Sequence, residues 1–166
     1  MRFILVLSFL SLISSAAVAD RGDIFLNIKG VTTLFYEDFS AGGQAGIGFG
    51  INEKTEIQLN AVYLIGPKTS SSDGFFMTRF NVTSFYTPYF GDIMPRIGGF
   101  FGFVFLEHDG KDIYELMPMV GVPLQGVVNL SSSLGLVGEV APAVAFGKES
   151  FFDVAVKLGF RFRLSK

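Results

Sequence analysis

The feature that most constrains this chain is the two-residue alternation of its last segment. Over residues 150–164, Phe152, Val154, Val156, Leu158, Phe160, Phe162 and Leu164 fall on one face. Asp153, Ala155, Lys157, Gly159, Arg161 and Arg163 fall on the other. Side chains at i, i+2 and i+4 share a face only in an extended strand. A strand this long exceeds the roughly 5–6 residues usual in globular proteins. It also exceeds the roughly 9–11 residues that a tilted strand needs to cross a bilayer.

The same period recurs upstream. Turn signals divide the chain into segments at 23–36, 41–52, 55–66, 75–87, 96–107, 113–127, 132–146 and 150–164. In the third segment Ile57, Leu59, Ala61, Tyr63 and Ile65 oppose Glu56, Gln58 and Asn60. In the second, Ala45, Ile47, Phe49 and Ile51 alternate with Gln44, Gly46, Gly48 and Gly50. The fourth sets Phe76, Phe80, Val82 and Tyr86 against Arg79, Asn81 and Thr83, and the first sets Ile24, Leu26, Ile28 and Leu34 against Asn27, Lys29 and Thr33. The fifth and sixth are apolar on both faces. Every connection is short, which favours antiparallel neighbours. Residues 116–138 carry no charge, but Pro118, Pro123 and a turn near Asn129–Ser131 argue strongly against a spanning helix.

Composition narrows the class. Among 166 residues there are 20 Gly and 20 Phe, an unsuitable diet for helices. There is no Cys, hence no disulfide framework and no thiolate metal site. No cofactor motif is present. A net charge of −2 gives no reason to expect nucleic acid as a partner.

The first residues read as an address. Met1-Arg2 is a positive start, Phe3–Ala16 is uncharged and mostly apolar, and Ala17-Val18-Ala19 is a small-x-small cleavage site. This is the pattern of a secretory signal peptide, so residues 1–19 are expected to be removed and 20–166 to form one barrel domain.

Two opposite folds satisfy the alternation. A soluble barrel, lipocalin-like, would turn the Phe-rich faces inward around an apolar ligand. A membrane barrel turns them outward. The small, mixed polar face suits a lumen that eight strands leave only wide enough for side chains. The even segment count brings both ends to one side, as closure requires. The expected fold is therefore all-β, an eight-stranded antiparallel up-and-down transmembrane β-barrel in a bacterial outer membrane.

Register gives sharper expectations. A symmetric hairpin around 146–150 sets Glu139 opposite Lys157. One around 51–55 sets Gly50, Gly48 and Gly46 opposite Glu56, Gln58 and Asn60, so that glycine makes room for long polar side chains. Buried charges must pair. Lys29, Arg79, Glu115, Glu139, Asp153 and Lys157 are expected to form a lumen charge network, with Lys157, Arg79 and Lys29 neutralising Glu139, Glu115 and Asp153. Arg161, Arg163 and Glu56 are expected at a solvated rim. Phe100, Phe101, Phe103 and Phe105, with Tyr86, Tyr89 and Phe90, are candidates for aromatic girdles.

The segment Lys157-Leu158-Gly159-Phe160-Arg161-Phe162-Arg163-Leu164 resembles the β-signal of outer-membrane proteins: polar, any, Gly, two of any kind, apolar, any, apolar. The final apolar position is Leu164 rather than an aromatic residue, and Ser165-Lys166 follow it. In size and layout the chain resembles the small eight-stranded OmpA/OmpX-like barrels. The resemblance implies that Lys157, Gly159, Phe162 and Leu164 are read by the barrel-assembly machinery, and that outer-membrane lipids surround a monomer. It implies a structural or surface role without an open pore. Some lipid A deacylases and acyltransferases share this architecture. The deacylases carry a His-x-Ser-Asn-type motif, whereas His108 here precedes Asp109-Gly110-Lys111, with Ser70, Ser71 and Ser72 in another loop. No catalytic residue is therefore assigned.

Overall fold

The computed structural model describes residues 22–35, 38–66, 74–88, 93–108, 111–147 and 150–165. The signal-peptide segment, the Ser70–Ser72 loop, Tyr89 and Phe90 lie outside them. The strands are β1 (Ile24–Phe35), β2 (Asp38–Gly50), β3 (Thr55–Gly66), β4 (Phe75–Tyr86), β5 (Ile93–His108), β6 (Lys111–Gly121), β7 (Leu124–Asn129), β8 (Leu134–Phe146) and β9 (Ser150–Ser165). All pairings are antiparallel, and β1 pairs with β9, so the sheet closes on itself.

Among the described residues nine strands make eight crossings. The sixth expected segment is divided at Val122-Pro123, because proline has no N–H to give the ladder. The register runs through the break without a slip. On β5, Phe101 faces Val120 before it and Ile97 faces Leu124 after it. Val122 N–H donates to the Pro142 carbonyl and Pro123 offers its carbonyl to Gly98, so the flanking groups stay paired. Both sequence-derived registers hold: Glu139 faces Lys157, and Gly46, Gly48 and Gly50 face Asn60, Gln58 and Glu56.

The stagger of the ring fixes its shape. Stepping from partner to partner, Phe25, Gly48, Gln58, Thr83, Phe100, Gly121, Ala143, Asp153 and Phe35 complete one circuit. The circuit returns to β1 ten residues further along. With eight crossings, a rise of about 3.3 Å and a spacing of about 4.8 Å, that stagger gives a tilt of about 40° and a backbone radius of about 8 Å. Inward side chains from opposite walls therefore meet.

The wall is apolar outside. Leu59, Tyr63, Phe80, Phe103, Val156 and Leu158 are among the outward residues, each at least 40% exposed. Phe101, Phe105 and Tyr86 join them, but Phe100 does not: its even position on β5 turns it inward, where it is buried. Inside, the end remote from the termini is filled by Val31, Val62, Leu64, Met77, Val104, Met117 and Met119, with Ala141, Ala143 and Ala145 opposite the bulkier groups. The lumen is thus not polar throughout. The inner face changes character halfway along, and the alternation of large against small carries the apolar half as well as the polar one.

Candidate functional site

The polar half of the lumen lies toward the end where β1 begins and β9 finishes. Its side chains form one connected system. Arg96 Nη2 donates to Glu56 Oε2 at 2.9 Å, and Arg96 Nη1 donates to Gln125 Oε1 at 2.8 Å. Gln125 Nε2 donates to Glu139 Oε2 at 2.9 Å. Glu139 also accepts from Lys29 Nζ at 2.5 Å and from Lys157 Nζ at 2.7 Å. At the other end of the chain of contacts, Glu56 accepts from Arg161 Nη2 and, at 2.8 Å, from Gln58 Nε2. Each carboxylate is held by two cations and by one side-chain amide. Both cation pairs are contributed by different strands, so the system ties β1, β3, β5, β7, β8 and β9 together across the lumen.

The local sequence explains this geometry. Gly46 and Gly48 face the lumen from β2, and a methyl group on either would run into Asn60 Oδ1 or Glu56 Oε1, well inside van der Waals contact. Glycine leaves that space to the long side chains that β3 sends over the wall. Gly159 is the partner of Lys29, and a Cβ on it would collide with the Ile28 carbonyl oxygen. Aromatic faces complete the setting: the Arg96 guanidinium lies 4.7 Å from the Phe85 ring centre and that of Arg161 3.5 Å from Phe25.

A second ionic contact is embedded in the apolar half. Arg79 Nη1 donates to Asp153 Oδ2 at 2.6 Å, and Asp153 also accepts from Thr33 Oγ1. Lys29 and Lys157 thus share Glu139, while Asp153 is bound by Arg79 rather than by Lys29 as expected. Lys29 faces Gly159 of β9, whose own partner on β8 is Val137, two residues from Glu139. Glu115 is on β6, and its side chain lies outside the described residues. The side chain of His108 lies outside them as well.

Two rim assignments are also corrected. Glu56 is 4% exposed, and Arg161 is largely covered, since the tilt carries both below the mouth. Only Arg163, which binds Asp23, keeps a third of its side chain in solvent. Arg96 was not among the expected members. Its signal was its parity: it shares the even face of β5 with Gly98 and Gly102, but a neighbouring run apolar on both faces hid that alternation. Of the four residues expected from the β-signal resemblance, Lys157 and Gly159 face the lumen, whereas Phe162 and Leu164 face outward.

Above the network, at the termini end, a cavity of about 840 Å³ opens between the turns. Asp23, Phe25, Glu56, Arg96, Arg161 and Arg163 are among its lining residues, with Ser131–Ser133 on its margin.

A closed ring of eight tilted crossings, apolar outside and ionic within, defines the fold of a small outer-membrane-type β-barrel. The solved structures agree. Neisserial surface protein A is similar over 86% of this chain and 97% of its own, with a TM-score of 0.71 and 10% identity. A major outer membrane protein from Thermus thermophilus gives 0.64 and 12%, over 87% of this chain and all of its own. The outer membrane protein OprG from Pseudomonas aeruginosa gives 0.58 and 10%, over 89% and 98%. No protein-family model and no curated protein matches the sequence. The likeness is therefore one of fold.

Proposed function

We propose that this protein is a monomeric outer-membrane barrel with a structural or surface role, a lumen closed by its own side chains and no catalytic step. The observation that carries the reading is the inverted wall: large apolar side chains point out all round the ring while ions pair inside. In water such an exterior is an aggregation surface; in lipid it is the solvated one. The apolar half supports closure, because Leu64, Met77, Val104 and Met117 have no exposed surface. Residues 1–19 direct export and are cleaved. The assembly machinery reads Lys157, Gly159, Phe162 and Leu164, and the termini end faces the periplasm.

Fractionation tests the location. The protein should be recovered in outer-membrane detergent extracts and migrate differently on gels before and after boiling. Recovery from a detergent-free periplasmic extract would refute the reading. Closure is tested in planar bilayers, where steady single-channel currents would overturn it. A His108→Ala variant that changed lipid A acylation would overturn the non-catalytic assignment.

A further inference from the structure

The polar half of the lumen does not balance its charge. Among the described residues, Lys29, Arg96, Lys157, Arg161 and Arg163 face Asp23, Glu56 and Glu139, leaving two positive charges in excess. A net charge inside a low-dielectric wall is costly unless a counter-charge reaches it. The cavity at the termini end is lined by Lys54, Arg96, Arg161 and Arg163 against Asp23, Glu53 and Glu56, so one of these excess charges lies on its wall.

The spare donors converge on one place. Arg96 has no fork to offer, since its nitrogens are committed to Thr87, Gln125 and Glu56. Arg161 gives one nitrogen to Glu56, and Arg163 gives one to Asp23. Arg163 Nε has no partner. Arg161 and Arg163 are two apart on β9, so both line the same inner face and the same cavity. Beside them, Asn27 is the cross-strand partner of Arg161. It is fully buried, yet neither its amide nitrogen nor its amide oxygen has a partner. Without accessible surface and outside the cavity lining, Asn27 does not itself reach a ligand there; the two arginines do.

We propose that this vestibule is a phosphate-binding site, with Arg161 and Arg163, which both line it, gripping the oxyanion. Guanidinium forks match the spacing of phosphate oxygens, and two adjacent forks favour a tetrahedral oxyanion over a halide. A bound phosphate offsets the two excess positive charges. The phosphate can be free or carried on a lipid headgroup.

The test uses full-length mature protein folded in zwitterionic detergent, so it does not depend on where the protein resides in the cell. Inorganic phosphate and glycerol 3-phosphate are titrated by calorimetry at constant ionic strength, in parallel with chloride. Saturable phosphate binding, weakened at least tenfold in Arg163→Gln and severalfold in Arg161→Lys, is expected. Both variants are first checked for the folded band on unboiled gels. Arg161→Lys keeps a cation for Glu56 while removing the fork, so it keeps the test open should Arg163→Gln fail to fold. Tighter binding of glycerol 3-phosphate would identify a headgroup, and tighter binding of inorganic phosphate a free anion. Unsaturable uptake, equal affinity for chloride, or unchanged affinity in the folded variants would overturn the site.

Discussion

The two halves of the lumen are built on the same wall and filled by different chemistry. Toward the termini, Glu56 and Glu139 are each gripped by two cations, and glycines on β2 make the room. Toward the far end, Leu64, Met77 and Met117 fill the space by shape, and alanines on β8 make the room. The apolar half gains stability from contact and excluded water. The ionic half must first recover the cost of dehydrating its charges, so it depends on every member being in place. One half tolerates conservative change, and the other does not.

The largest effect should follow from removing a shared carboxylate. Glu139→Gln leaves Lys29 and Lys157 buried against each other, and should cost about 3–5 kcal/mol or prevent folding. Urea titration in vesicles, read by unboiled gel mobility, measures it. If the loss were under about 1 kcal/mol, the ionic half would not be the brittle one. Next, Leu64→Ala should cost about 2–5 kcal/mol, with the same value in low and high salt. A strong salt dependence there would break the distinction between the halves. Leu59→Arg tests the outer face: a lipid-facing charge near the bilayer centre should cost about 2–4 kcal/mol in vesicles. The same variant should be nearly silent if that face were bathed in water. Gly159→Ala should cost about 1–3 kcal/mol through crowding of the Ile28 carbonyl, and a wild-type midpoint would show that β1 and β9 can separate there. Phe103→Leu, which loses an edge-to-face contact with Phe101 on the outside, should cost only about 0.5–1.5 kcal/mol.

Much of the fold was legible because strand periodicity and hairpin closure are local. Segment 150–164, the Glu139–Lys157 pair and the glycine column opposite Glu56, Gln58 and Asn60 all follow from counting along one hairpin. What alternation could not supply was the partner across the lumen. Arg96 meets Glu56, and Arg79 meets Asp153, through the tilt and stagger of the closed ring, which no single hairpin specifies. The same limitation put Glu56 and Arg161 at a solvated rim. Phe100 was misassigned for a local reason: where both faces of a segment are apolar, parity gives no sign of which one turns inward.

The pairing of β1 with β9 joins the beginning of the chain to its end. Four of the ionic contacts reach a residue of β9: Lys157 to Glu139, Arg79 to Asp153, Arg161 to Glu56 and Arg163 to Asp23. Until that strand arrives, Glu56 lacks one of its cations and the seam gapes along the whole height of the wall. The last strand is thus a clasp as well as a stave. A chain emerging N-terminus first cannot ratchet itself shut, because the seam waits on its final residues. Contacts this distant in sequence make closure slow, which gives whatever holds the open form time to deliver it to a bilayer.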